Sequence, residues 1–475
     1  MFNRASDPRT KRSGPVGDIQ AFVWLALLAA IVGLLGGSAR FDAVQIAALR
    51  PLAALFLIPA LYFLSRASIE DSKTPLVLMG LLVLWTALQL VPLPPSVWQA
   101  LPGRDTIAQL DTAIGAADSW RPIAWVPMRG WNALFAMIVP VTGALLVAAL
   151  RPQVRTILLV LAALGAASAI AGMLQMLSGS DSPLYLYRFT NSGSPVGLFA
   201  NENHASVFAA LVLVLIARAG FAHRGRGRSR ILDILLAGAF LIVLMGALIS
   251  GSRAGLGLTL LALVACAAMG WLWIAQPAMG TARTGLAGKI AARPQLLLIA
   301  AAVAIAGLLY ALFQFDRVPG AAHAFEQSAF EDLRWKIAPI LWEMMMQHWL
   351  VGTGFGSFDA VYLIYEPTQL QNDAYLNQAH NDWAQLVIEG GVPAILLLLA
   401  LARWVAFGLR KLYSQSAPAV ALCLFWCTIA AILAAASLFD YPLRTPIFQL
   451  AAAWLAIAFA FDLRRHAQIK ASQTA

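Results

Sequence analysis

Apolar runs recur along nearly the whole chain, each closed by a short cluster of Gly, Pro, Arg or acidic residues. A helix of roughly twenty apolar residues rises far enough to cross the hydrocarbon core of a bilayer. Runs of that kind predict twelve spans: 19–36, 43–64, 75–92, 130–150, 155–177, 204–219, 231–249, 255–275, 296–315, 393–409, 419–436 and 446–462. No heptad run, internal repeat or low-complexity tract interrupts them. The expected fold is an all-α polytopic membrane protein of about twelve helices, forming one membrane domain over 1–475.

Three connections are long enough to carry structure. Residues 93–129 are rich in Pro and Trp and are expected to lie along the membrane interface, where Trp is favoured. Residues 178–203 combine Tyr, Arg, Asn and turn formers. Residues 316–392 form the largest polar piece, a predicted helical cap with two short helices. In the first, "SAFEDLRWKIAPILWEMMMQHW", Phe330, Leu333, Ile337, Ile340, Leu341, Met344 and Met345 fall at helical spacing, an amphipathic pattern. The second is expected to begin near Asn377 and to be interrupted by Gly390, Gly391 and Pro393. The intervening "GTGFGSF" reads as a turn, because neither a preceding strand nor a following Lys-bearing helix start supports a nucleotide loop.

Composition agrees with the pattern: 60% of residues are hydrophobic and only 12% charged, about half the charge of soluble domains. The 33 Lys and Arg against 23 Asp and Glu give a net charge of +10. The bases crowd the loops on the side of both termini and the acids the opposite loops, which predicts cytoplasmic termini and a cap on the outer face of the membrane. The basic stretch "ARAGFAHRGRGRSR" is therefore a topology signal, and no nucleic-acid partner is expected. The first apolar run is too long, and lacks the small-residue site, for a cleaved signal peptide. Cys266, Cys423 and Cys427 all fall within spans and offer neither a disulfide framework nor a metal set.

Polar residues at the cap-side ends of the spans are the candidates for chemistry. Arg188, Arg253, Arg334 and Arg444 stand there, and Arg253 sits in the tight turn "ISGSRAGLG". A guanidinium so placed snorkels to water, pairs with an acid, or binds an anion through its two-pronged donor edge. His380 lies in "NQAHNDWAQLVIEGG", where its near-neutral pKa suits it to hold or take a hydroxyl proton. In a helix it would share a face with Trp383, Ala384 and Val387, with Asn381, Asp382 and Glu389 around it. No second His at metal-ligand spacing accompanies it. His323 and His348 are weaker candidates in the same region.

Several of these segments together resemble the bacterial O-antigen ligase and polymerase superfamily. "AHNDWAQLVIEGGVPAILLLL" resembles its His-Asn pair ahead of a helix, Glu and Gly. "GLFANENHASVFAALVLVL" is similar to its Phe-x-Asn-x-Asn stretch and "SGSRAGLGL" to its Ser-x-Arg-x-Gly turn. "RWKIAPILWEMMMQHWLVGTGFGSF" and "FDYPLRTP" also fit, in the same order, so the likeness spans about 130–462. The first three spans agree only in hydropathy. The resemblance implies a GT-C-like membrane glycosyltransferase that works on the periplasmic face without cofactor or metal. Its donor would be a glycan on undecaprenyl pyrophosphate, and its acceptor lipid A-core or a second lipid-linked glycan, within membrane lipid. By the same resemblance Arg188 and Arg253 would hold pyrophosphate and Arg334 would support them. His380 would activate the acceptor with Asn381 and Asp382 positioned about it, while Asn201, Asn203 and Glu202 would contact donor sugar or organise the arginine loop. Ligase and polymerase share these motifs, so polymerisation of O-antigen or exopolysaccharide is the alternative within the family. A flippase or transporter is the alternative from another class. Transporters place ionisable groups at mid-membrane on broken, repeated helices, whereas here Arg50, followed by Pro51, is the lone charge deep in a span.

Overall fold

The computed structural model describes residues 17–221, 230–275, 328–371 and 376–474. Ten helices among them are long and apolar enough to cross a membrane, and the molecule is an all-α polytopic membrane protein. The helices that carry the architecture are α1 (Asp18–Leu35), α2 (Gln45–Phe63), α3 (Lys73–Leu88), α4 (Pro127–Leu150), α5 (Val154–Ser178), α6 (Glu202–Phe221), α7 (Arg230–Ile249) and α8 (Arg253–Ala275). After the cap helices α9 (Ser328–His348) and α10 (Phe358–Tyr365) come α11 (Asp382–Leu412), α12 (Ala417–Phe439) and α13 (Pro446–Thr474). Eleven of the twelve expected spans thus appear as helices. That expected over 75–92 is only 16 residues long, and the span expected over 296–315 lies outside the described residues.

Helix α6 is the axis of the bundle. Every residue from Ser206 to Ala217 is buried, as expected of a helix apolar all round and therefore enclosed by other helices. Small residues set how closely its neighbours approach. A Cβ at Gly165 of α5 would meet Val212 at 2.5 Å, and one at Gly255 of α8 would meet the Ser206 hydroxyl at 1.9 Å. Glycine at both sites lets the backbones come together where lipid supplies no hydrophobic drive for association.

The cap is built differently. Residues 93–129, expected as an interfacial loop, contain short helices at Pro95–Trp98 and Asp105–Ala113, closed by a two-residue antiparallel ladder pairing Pro92 with Pro122 and Leu93 with Arg121. In α9, Ile337, Ile340, Leu341 and Met344 are buried against Phe358, Val361 and Tyr362 of α10, and Met345 packs beside them partly buried, so five of the seven residues of the expected amphipathic stripe lie on that face. The side chains of Phe330 and Leu333 lie outside the described residues. The second cap helix does not begin at Asn377 as the pattern suggested. It begins at Asp382 and runs on into α11, with Gly391 (φ 60°, ψ −158°) breaking the helical path.

That break is fully supported. Thr353 N donates to Ile388 O and Gly354 N to Glu389 O, while Val392 N donates to Leu350 O. The Gln89 amide donates to Val351 O and Glu389 O, and Trp85 Nε1 to Gly390 O. Carbonyls freed by a kink near a membrane must find donors in the protein, and the "GTGFGSF" turn and α3 supply them. A Cβ at Gly391 would fall 2.7 Å from Gly352 N, so these two backbones touch.

Candidate functional site

Three helix N-termini open toward the cap: those of α6, α8 and α11. Asn201 caps α6, its side chain accepting from Asn203 N at 2.8 Å. Asn191 in the preceding loop accepts from Glu202 N at 3.3 Å. Ser252 caps α8, accepting from Gly255 N at 3.0 Å, and Arg253 is the first residue of that helix, exposed at its mouth. The contact between Gly255 and Ser206 places this turn beside the first turns of α6. Asn381 caps α11, accepting from Ala384 N at 3.0 Å. Helix N-termini carry partial positive charge and unpaired N–H groups, so together they favour an anion at this end.

His380 immediately precedes the α11 cap instead of lying on the helix, and its backbone is left-handed, with φ 49°. Few residues other than Gly adopt that region, and the conformation persists only where surrounding structure holds it. Here it turns the imidazole toward the α12–α13 connection. Nδ1 stands 3.3 Å from Oδ1 of Asp440, with the His380 side chain 17% exposed and that of Asp440 5%. The ring meets Tyr441 edge-on at 4.8 Å. Tyr441 N donates to the same Asp440 oxygen at 3.0 Å.

Asp382 and Glu389 converge on Arg444, just beyond Asp440. Arg444 Nε stands 3.3 Å from Asp382 Oδ1 and Nη1 2.7 Å from Glu389 Oε2. Asp382 also accepts from the Ser437 hydroxyl and Leu443 N. The second oxygen of Glu389, a fully buried residue, accepts from Gly356 N, Phe358 N and the Gln385 amide. Burial works against the charge on Arg444, but Glu389 and Asp382 outweigh it and hold the guanidinium above its ordinary range. This network ties the broken start of α11, the Gly-rich turn and the last connection into one rigid platform beneath His380.

Arg188 and His348 sit apart from that platform. Arg188 is exposed and lies 5.4 Å over the ring of Phe189, which Arg40 approaches from 4.2 Å. Its loop is fastened by Tyr187, whose hydroxyl accepts from Gly37 N at 2.6 Å, and by Gln45, which donates to Leu186 O. The backbone of Arg334 belongs to α9, while its side chain lies outside the described residues, as does His323. His348 is a core residue of the cap, 2% exposed, edge-on to Trp125 and 2.8 Å from the Tyr365 hydroxyl.

Two residues of the cluster escaped the sequence reading. Asp440 stands in "FDYPLRTP" and His204 in "NENHAS", both within segments noted for their resemblance, yet neither was singled out. Nothing in the chain marks an acid at the end of α12 as the neighbour of a His at the start of α11.

Residues 237–399 match the family described as O-antigen ligase, and the resemblance read from the motifs is borne out. The matched segment runs from α7 through the cap into α11 and contains Arg253, Arg334, His380, Asn381 and Asp382. Arg188, Asn201, Asn203, His204, Asp440 and Arg444 fall outside it. No curated protein matches the chain.

Proposed function

We propose that the protein is a membrane glycosyltransferase of O-antigen ligase or polymerase type, acting at the periplasmic face of the bacterial inner membrane. The donor is a glycan on undecaprenyl pyrophosphate. The observation that carries this reading is His380, partly exposed at the cap end with Nδ1 3.3 Å from a buried Asp440 carboxylate, though without a completed hydrogen bond, within the segment that matches the family.

An Asp at Nδ1 favours the tautomer whose Nε2 lone pair faces outward, and it stabilises the imidazolium that follows. His380 Nε2 takes the proton of an acceptor sugar hydroxyl as that oxygen attacks the anomeric carbon. The bond from that carbon to the pyrophosphate oxygen breaks, and its electron pair leaves with undecaprenyl pyrophosphate. Arg253, Arg188 and Arg334, with the N-termini of α6 and α8, oppose the growing negative charge on the leaving group. Asn381 and Asp382 keep His380 at the head of α11, and Asn201 and Asn203 order the α6 entrance on the donor side.

The test is a strain lacking the gene, complemented with wild type, H380A and R253A. Transfer should vanish in both variants while membrane levels stay normal; wild-type glycan from either overturns its assignment. Intact polymer that no longer reaches lipid A-core identifies a ligase, and single-repeat products a polymerase.

A further inference from the structure

The contacts do not end at Asp440. Beyond that carboxylate, Nε2 of His204 stands 3.8 Å from Oδ2. The ring of Tyr441 receives both imidazoles edge-on, His204 at 5.0 Å and His380 at 4.8 Å. His204 is 1% exposed, in the first turn of α6, with Phe448 closing its other side. It has no route to a substrate.

A buried His is ordinarily a packing residue. This one instead directs a ring nitrogen, without a completed hydrogen bond, at a carboxylate that is itself buried. An ionised Asp in such a place needs donors, or it loses its charge. Tyr441 N serves Oδ1, the oxygen that also faces His380, and His204 approaches Oδ2.

We propose that His204 is a positioning residue for glycosyl transfer. Its Nε2–H closes on Oδ2 of Asp440, keeps that carboxylate ionised, and fixes its tilt so that Oδ1 holds His380 in the productive tautomer. Contacts of this kind are commonly long before substrate binds and tighten afterwards. The proton taken from the acceptor stays on His380. Asp440 balances the new imidazolium, and His204 remains neutral throughout. This role rests on the proposed role of His380.

The test uses the full chain reconstituted in lipid vesicles. Undecaprenyl-pyrophosphate-linked glycan extracted from the expressing cells is the donor, and lipid A-core or the same lipid-linked glycan is the acceptor in separate arms. H204F keeps an aromatic ring without a donor, and H204Q keeps an N–H near the Nε2 position without the ring. In H204F, kcat should fall about 10- to 100-fold with both KM values nearly unchanged, the loss expected for one hydrogen bond to a charged group. H204Q should stay within about threefold of wild type, because it can still donate to Oδ2. A packing role demands the opposite order, with Phe tolerated and Gln not. Wild-type kcat in H204F overturns the proposal. Should H204F not yield monodisperse protein, a collapse of kcat in well-folded H204Q overturns it and retention supports it. H380A is measured alongside: if it remains active, the reading of His380 fails, whereas an inactive H380A beside a fully active H204F removes only His204.

Discussion

Among the described residues the helix bundle handles buried acids in two contrasting ways, one found at both ends and the other only around Asp440. At the end bearing the termini, Asp462 is paired with Arg218 at 2.6 Å and accepts from Trp426 Nε1 at 2.9 Å. Asp71 there is gripped by Arg151 and by Arg464. At the cap end, Asp382 and Glu389 share Arg444 in the same way, whereas Asp440 faces two imidazoles. A guanidinium keeps its charge at any accessible pH and so neutralises an acid permanently. An imidazole can also be neutral, and so can exchange a proton where a guanidinium cannot. The acids beside arginine hold the bundle together, and the acid beside histidine is the one that the proposed function assigns to chemistry.

The largest expected effect breaks the chemical half of this contrast. D440N should lower the transfer rate about 10²- to 10⁴-fold, the range for loss of assisted proton transfer, while the melting temperature in detergent holds or rises. A D440N protein that melts early and transfers glycan normally per folded molecule would place Asp440 with the structural acids. Next, E389A should cost about 3–5 kcal/mol, because it leaves buried Arg444 with Asp382 alone and removes the acceptor of two backbone N–H groups; thermal unfolding reads it. At the opposite end, R218M should cost about 3 kcal/mol by leaving Asp462 buried against Trp426. Adding D462N should recover part of that loss, and transfer per folded molecule should match wild type throughout.

The cap adds a pH dependence. Burial, with the Arg104 charge in support, lowers His348 from 6.5 to about 4. A His with a depressed folded pKa binds its proton more readily when unfolded, so its stabilising contribution is complete above pH 6.5 and is lost as pH falls toward 4. The loss reaches about 3 kcal/mol at the acid end. Melting curves of wild type and H348Q should therefore converge as the pH drops, and parallel curves would refute the shift. Smallest, G391A should cost about 1–3 kcal/mol through a strained positive φ and contact with Gly352, seen as a modest fall in melting temperature.

The spans were legible because length and apolarity are local quantities, and the break at Gly390 and Gly391 was legible because Gly and Pro act on their own backbone. His380 could be found for the same reason, as a titratable residue at a helix edge. Its conformation could not: the run "AHNDWAQ" has helical periodicity, and only the Asn381 cap places His380 outside the helix. Arg444 stood out as one of four cap-side arginines, but its two acids consume it in holding α11. Asp440 and His204 were hidden because their meaning lies in pairing across three distant helices, which no local pattern encodes.

That assembly from distant segments has a consequence for how the protein is made. His204 is synthesised early, His380 late, and Asp440 and Arg444 in the final connection, between α12 and α13. The constellation thus closes only when that last helical pair has entered the bilayer and folded back against α6. On the proposed role of His380, a nascent chain would be silent until then, unable to transfer glycan while still threading into the membrane.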